Sequence, residues 1–154
     1  SRRSRPGAQE IVGGVEGAVT VRVGDPGAGV AGETRRQADG RFTMELNLGL
    51  VYRALGTRGT DRLVMHELGH VVDWARTPPA LDRTLDQMTP RGYGCEDRVG
   101  GACATMRERF AEGFSKWATN DIGATSGAVL GYRVPPPSDL GRWGSVLTEG
   151  IRSR

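Results

Sequence analysis

After a polar, Gly-rich opening, hydrophobic positions begin to recur with recognisable periods from residue 19 onward. Residues 19–23 read V-T-V-R-V, and residues 41–48 place Phe42, Met44, Leu46 and Leu48 at every second position. A period of two marks a half-buried strand. Residues 29–34 form a weaker strand candidate, and Asp39-Gly40 is a hairpin signal after it. These strands predict a small, mainly antiparallel sheet. Residues 50–55 suggest a short helical turn, followed by a loop over 56–59. Thr60 suits an N-cap and Asp61 puts negative charge in a first turn, so a helix is expected to run to about residue 76. Pro78-Pro79 then end it. Leu81, Leu85 and Met88 mark a short helix over 80–88. Met106, Phe110, Phe114 and Trp117 form a core stripe over 105–119. Leu140, Trp143, Leu147 and Ile151 lie on one side of a last helix, with Ser138 as its cap. The pattern predicts an α+β fold with a flexible segment over 1–17 and one domain over 18–154.

Composition changes the picture in three places. The 24 glycines and a hydrophobic content of 37% point to many loops around a small core. The 21 cations outnumber the 18 acids slightly, Lys116 is the one lysine, and the arginines are scattered without interleaved aromatics. Nucleic-acid binding is therefore not expected. No apolar run approaches the length of a membrane span, and no signal peptide is visible at the polar, basic start. Cys95 and Cys103 sit close together in a Gly-rich loop. A local disulfide between them would favour a secreted or extracytoplasmic location, and two free thiols are the alternative. The chain is read as a monomer.

The chemistry concentrates in residues 63–74, L-V-M-H-E-L-G-H-V-V-D-W. His66 and His70 stand at i and i+4, one turn apart on a helix, and they are the chain's two histidines. Two imidazoles so placed can share one zinc ion, with Glu67 beside the open position as general base. Val64, Leu68, Val71, Val72 and Ala75 form an apolar arc, so the helix is expected to bury one side and face a cleft with its histidines. Ile11-Val12-Gly13-Gly14 resembles the mature start of trypsin-like serine proteases, but with no further histidine a serine triad cannot be assembled.

A catalytic zinc needs a third protein ligand. Asp73 and Arg76 stand where a metzincin would carry glycine and histidine. The best carboxylates are Glu108 and Glu112, themselves i and i+4. Glu112 is favoured because small Ala111 and Gly113 flank it and permit close packing on the zinc helix. A solvated acidic face is the alternative. Asp73 has two readings, a hydrogen bond to a ligand imidazole or a pair with an arginine.

H-E-L-G-H-V-V-D followed by E-R-F-A-E-G-F resembles the gluzincins of the anthrax lethal factor catalytic-domain type, which include the small Pro-Pro endopeptidases. The resemblance spans about residues 60–119. It implies His66, His70 and Glu112 as zinc ligands, Glu67 as base, and a tyrosine as oxyanion donor. Tyr93-Gly94 matches in kind, although its distance from the glutamate helix exceeds the family interval, so the Cys95 to Cys103 loop would have to be an insertion. Tyr132 is the reserve donor. The expected activity is zinc-dependent hydrolysis of a peptide or protein substrate, with the strand near residues 44–47 pairing to an extended peptide. The alternative is a non-catalytic, zinc-stabilised binding module with the same fold.

Overall fold

A long helix, α2 (Leu48–Arg76), runs between a small sheet on one side and the other helices on the other. The computed structural model describes residues 5–27, 29–98, 103–122 and 134–154. Before α2 come α1 (Pro6–Gly13), β1 (Val19–Val23), β2 (Gly32–Arg36) and β3 (Phe42–Leu46). After it come α3 (Pro79–Gln87), α4 (Met106–Thr119) and α5 (Leu140–Arg152). The fold is α+β, as the periods predict.

The sheet has the order β1-β3-β2. β2 and β3 form an antiparallel hairpin around Gly40, whose φ of 82° suits a turn glycine. β1 adds to the other edge of β3 in parallel, pairing Val21 with Met44. The sheet is therefore mixed rather than mainly antiparallel, because the hairpin already occupies one edge of β3. Phe42, Met44 and Leu46 face inward and are buried, as the alternation indicates. β3 is the centre of the sheet, so it cannot accept a peptide as expected for residues 44–47. The open edge beside α2 belongs to β2.

Two features correct the expected boundaries. Gly56 has φ 65° and ψ −161°, which breaks α2 into two helical stretches. Thr60 is thus not a cap; its hydroxyl bonds back to the Gly56 carbonyl within the helix. The N-terminal segment is helical from Pro6, with Ala8 and Ile11 buried against the helical core. Proline at the first helical position favours that start. The segment expected to be flexible over residues 1–17 thus carries a packed helix over Pro6–Gly13, and residues 1–4 lie outside the described ones.

α2 is buried on two sides, not one. Val71 packs with Leu63, Val51 and the sheet residues, whereas the adjacent Val72 packs with Phe110, Phe114 and Trp143. Ala75 of the expected apolar arc is exposed. α4 starts on a Thr105 cap and ends on Asn120 in the left-handed conformation. Asp139, rather than Ser138, caps α5 by accepting from the Arg142 amide.

Candidate metal centre

α2 and α4 meet where Gly69 faces Ala111. A Cβ on Gly69 would lie 3.0 Å from the Ala111 Cα, so glycine allows the two backbones to approach closely. Gly113, expected to help this packing, faces Trp143 and Pro137 instead. The crossing brings the polar faces of both helices together in the interior.

His66 and His70 present edge-to-face rings with centroids 4.9 Å apart. Their Nε2 atoms lie 3.2 Å from the two carboxylate oxygens of Glu108, Oε2 for His66 and Oε1 for His70. His66, His70 and Glu108 offer ligand atoms within 4.8 Å of one another and could hold a metal ion. Glu112 is elsewhere: its Oε1 lies 2.7 Å from His66 Nδ1, the back of the same ring. The group that could hold a metal thus includes Glu108, and Glu112, the expected third ligand, is not part of it. Both glutamates share one face of α4, and the Gly69–Ala111 crossing puts Glu108 in front of the imidazoles and Glu112 behind His66.

The electrostatics favour positive charge among these side chains. Burial opposes a charge on His66, yet Glu108 and Glu112 overcome it and push its pKa up to about 10. Burial would likewise raise the Glu108 carboxyl, but His66 and His70 hold it well below the usual carboxylate range. A doubly protonated His66 would donate from Nδ1 to Glu112, with its Nε2 proton facing Glu108. A divalent cation facing the same Nε2 atoms and Glu108 oxygens would replace that proton, so the donor set fits a metal.

Glu67 is also buried, and its Oε2 accepts the Thr34 hydroxyl at 2.5 Å. Thr34 belongs to β2, so the sheet edge and the proposed base are in contact. Trp74 stacks on His70 at 5.8 Å and on Phe42 at 5.9 Å, with the Arg107 guanidinium over its ring at 5.5 Å.

Asp73 takes the arginine reading. Its Oδ2 lies 3.6 Å from Arg107 Nη1, and no hydrogen bond joins it to an imidazole among the described residues. Burial and the facing Asp82 raise its pKa to about 8, against the pull of Arg107. Neither ionised carboxylate can donate, so the Oδ1 of each is buried without a partner. A proton on either carboxyl would supply the donor that both lack.

Tyr93 does not reach the site. It lies fully exposed between Gly92 and Gly94, both at positive φ, which turns it to solvent. Tyr132 lies outside the described residues. Cys95 and Cys103 form a disulfide, as one of the two sequence readings expected. No helix among the described residues is long and apolar enough to cross a membrane.

Thr34, Arg62 and Lys116 were not singled out by sequence. Lys116 could have been, since it is the chain's one lysine and stands four residues after Glu112. Comparison with family models, curated proteins and solved structures returned no match.

Proposed function

We propose that the chain is a zinc-dependent endopeptidase of an oxidising, extracytoplasmic compartment. One observation carries this reading: two imidazole nitrogens and a carboxylate converge from α2 and α4, with Glu67 next to His66 in the same helix. Two imidazoles and one carboxylate suit zinc. Zinc held there would supply Lewis acidity and a water acidified towards neutrality. Glu67 is the residue that moves the proton. Its Oε2 is held by the Thr34 hydroxyl, which leaves Oε1 to take a proton and return it to a leaving amine. Gly32 keeps that oxygen uncrowded, because a Cβ there would lie 3.0 Å from Oε1. An extended peptide adding to the free edge of β2 would pass Glu67. All three metal donors come from one chain, so a monomer suffices.

A second reading has one observation of its own. The Thr34 bond ties Glu67 to the sheet, as would suit a metal that merely joins α2 to α4 in a binding module. Glu67→Gln separates the two. On the peptidase reading the variant keeps zinc and melting temperature but loses about 10²–10⁴-fold in cleavage of a peptide library. Near-native cleavage by the variant would remove Glu67 as base. Zinc binding with no chelator-sensitive cleavage by the wild type would favour the structural metal.

A further inference from the structure

We infer that Arg107 is a specificity-determining residue: held on the Trp74 ring at one end of the site, its guanidinium takes a substrate carboxylate, so that the chain favours peptides with an acidic group on one side of the scissile bond. The inference rests on the peptidase reading of the site.

The two helices that supply the metal donors also carry this pair. Trp74 stands one turn after His70 on α2, and Arg107 directly precedes Glu108 on α4. The half-buried Trp74 ring stacks on His70 at 5.8 Å, and the Arg107 guanidinium lies over the same ring at 5.5 Å. An extended peptide rises about 3.3 Å per residue, so roughly two or three residues span that interval.

The guanidinium is positioned but not used up. A planar cation on an aromatic face keeps the N–H groups at its rim free. Asp73, itself buried, faces Nη1 at 3.6 Å, beyond hydrogen-bond reach. Arg107 makes no hydrogen bond among the described residues, and its side chain is 54% exposed. Arg109, two residues on, is the opposite case. It is buried, and its three guanidinium nitrogens donate to the Asp86 carboxylate and the Ala104 carbonyl. Arg109 serves the fold, whereas Arg107 keeps its donors for something else.

The sheet adds the same charge at the same end. β2 passes Glu67 at Thr34 and ends at Arg36. Arg36 is the register partner of Phe42, whose ring stacks on Trp74 at 5.9 Å. Residues directly opposite in a strand pair share a face, so Arg36 lies on the α2 side of the sheet, where it is exposed. A peptide on the β2 edge would therefore run from Glu67 towards Trp74, with Arg36 and Arg107 at that end. A carboxylate suits the free fork of Arg107, which can meet both of its oxygens. It can come from an aspartate or glutamate side chain or from the C terminus of the peptide.

The test maps cleavage of a peptide library by the zinc-loaded full chain. One cleaved peptide is then remade with Glu, Gln or Lys at the favoured position, each with a free or an amidated C terminus. Wild type is expected to favour the carboxylate over its amide by about 5–10-fold in kcat/KM, between an exposed ion pair and a hydrogen bond to a charged group. Arg107→Gln should bring that ratio close to one, and Arg107→Glu should favour Lys. A preference that survives amidation places the carboxylate on a side chain, and one that vanishes places it at the C terminus; both support the inference. A cleaving wild type with no acidic preference overturns it. So does a ratio that Arg107→Gln leaves unmoved, or an equal loss on all peptides, which marks a purely structural role. If Arg107→Gln fails to fold, Arg107→Lys takes its place: it keeps the charge but loses the fork, and an unchanged ratio overturns the inference. A wild type without chelator-sensitive cleavage overturns the peptidase reading itself, and the inference with it.

Discussion

The two faces of α4 both turn away from water, Glu108 alone being part-exposed, and are stabilised by different physics. On one face Phe110, Phe114 and Trp117 pack with Trp143 of α5, with ring centroids 5.6 Å apart for Phe110–Trp143 and 6.1 Å for Trp117–Trp143. On the other, Glu108, Glu112 and Lys116 lie against His66 and His70 of α2. Phe114 and Glu112 are both 0% exposed, so burial alone does not distinguish a core from a site. The aromatic face is complete as it stands, because dispersion and apolar burial need no further partner. The polar face requires each charge to find an opposite one. It reaches that state with a proton on His66 or with a metal in its place. On the proposed reading, the face that depends on something other than protein is the one with a function.

The largest effects come from breaking each face in turn. Phe114→Ala should cost about 3–5 kcal/mol, by loss of apolar burial and the cavity left behind. That loss should be the same with zinc or with chelator. Glu108→Ala should abolish zinc uptake, so its melting temperature should no longer respond to zinc. Glu112→Ala should keep a response at higher zinc concentrations, since Glu112 stands behind the ring. Thermal melts of the three variants with zinc and with chelator provide the measurement. A zinc-responsive Glu108→Ala beside an unresponsive Glu112→Ala would return the ligand role to Glu112.

The same contrast explains what could be read from the chain. The aromatic stripe of α4 follows from Phe110, Phe114 and Trp117 at helical spacing, and β1 and β3 follow from strict alternation. The H-E-x-x-H spacing brings His66 and His70 onto one face, and the structure joins them with a carboxylate from α4. Which carboxylate was not legible. Glu108 and Glu112 share a residue type and a helix face, and only the crossing of Gly69 over Ala111 separates front from back. Nor was it legible that α2 is buried on both sides. That depends on α1 and α5 returning to cover Val72 together with α4, a contact between residues far apart in sequence. Tyr93 misled because a tyrosine beside a glycine carries no information about which way its loop turns.

The disulfide loop belongs with neither face, and its removal should act on stability alone. Replacing Cys95 and Cys103 by serine should cost about 2–3 kcal/mol in the chain-entropy picture of a short closed loop. Zinc affinity should be unchanged, because the loop's Tyr93 faces solvent. A zinc affinity that fell with the disulfide would join the loop to the site after all. Mass spectrometry of the oxidised protein should find no free thiols.

The effect of pH sharpens the comparison beside the polar face, where two acids respond to pH in opposite senses. Glu108 is held below its ordinary 4.5 by His66 and His70, so it contributes stability above that pH and loses it as acid protonates the carboxylate. Asp73 is raised from 3.8 to about 8 by burial and by Asp82 of α3, against Arg107 of α4. Asp82 is itself raised by burial, and Asp86 of α3 adds to that. The folded protein therefore holds a proton at Asp73 that the unfolded chain has released. That contribution is complete below 3.8 and is lost as pH rises through about 8. In Asp73→Asn the amide donates to Asp82 at every pH, so the alkaline decline should flatten. The wild type should lose about 1.4 kcal/mol more than the variant for each pH unit crossed below about 8. It is measured as the change in unfolding free energy from mildly acidic to mildly alkaline buffer, with chelator present so that metal uptake does not contribute. Parallel pH profiles for the two proteins would show that Asp73 and Asp82 share no proton, leaving Arg107 as the sole countercharge to Asp73.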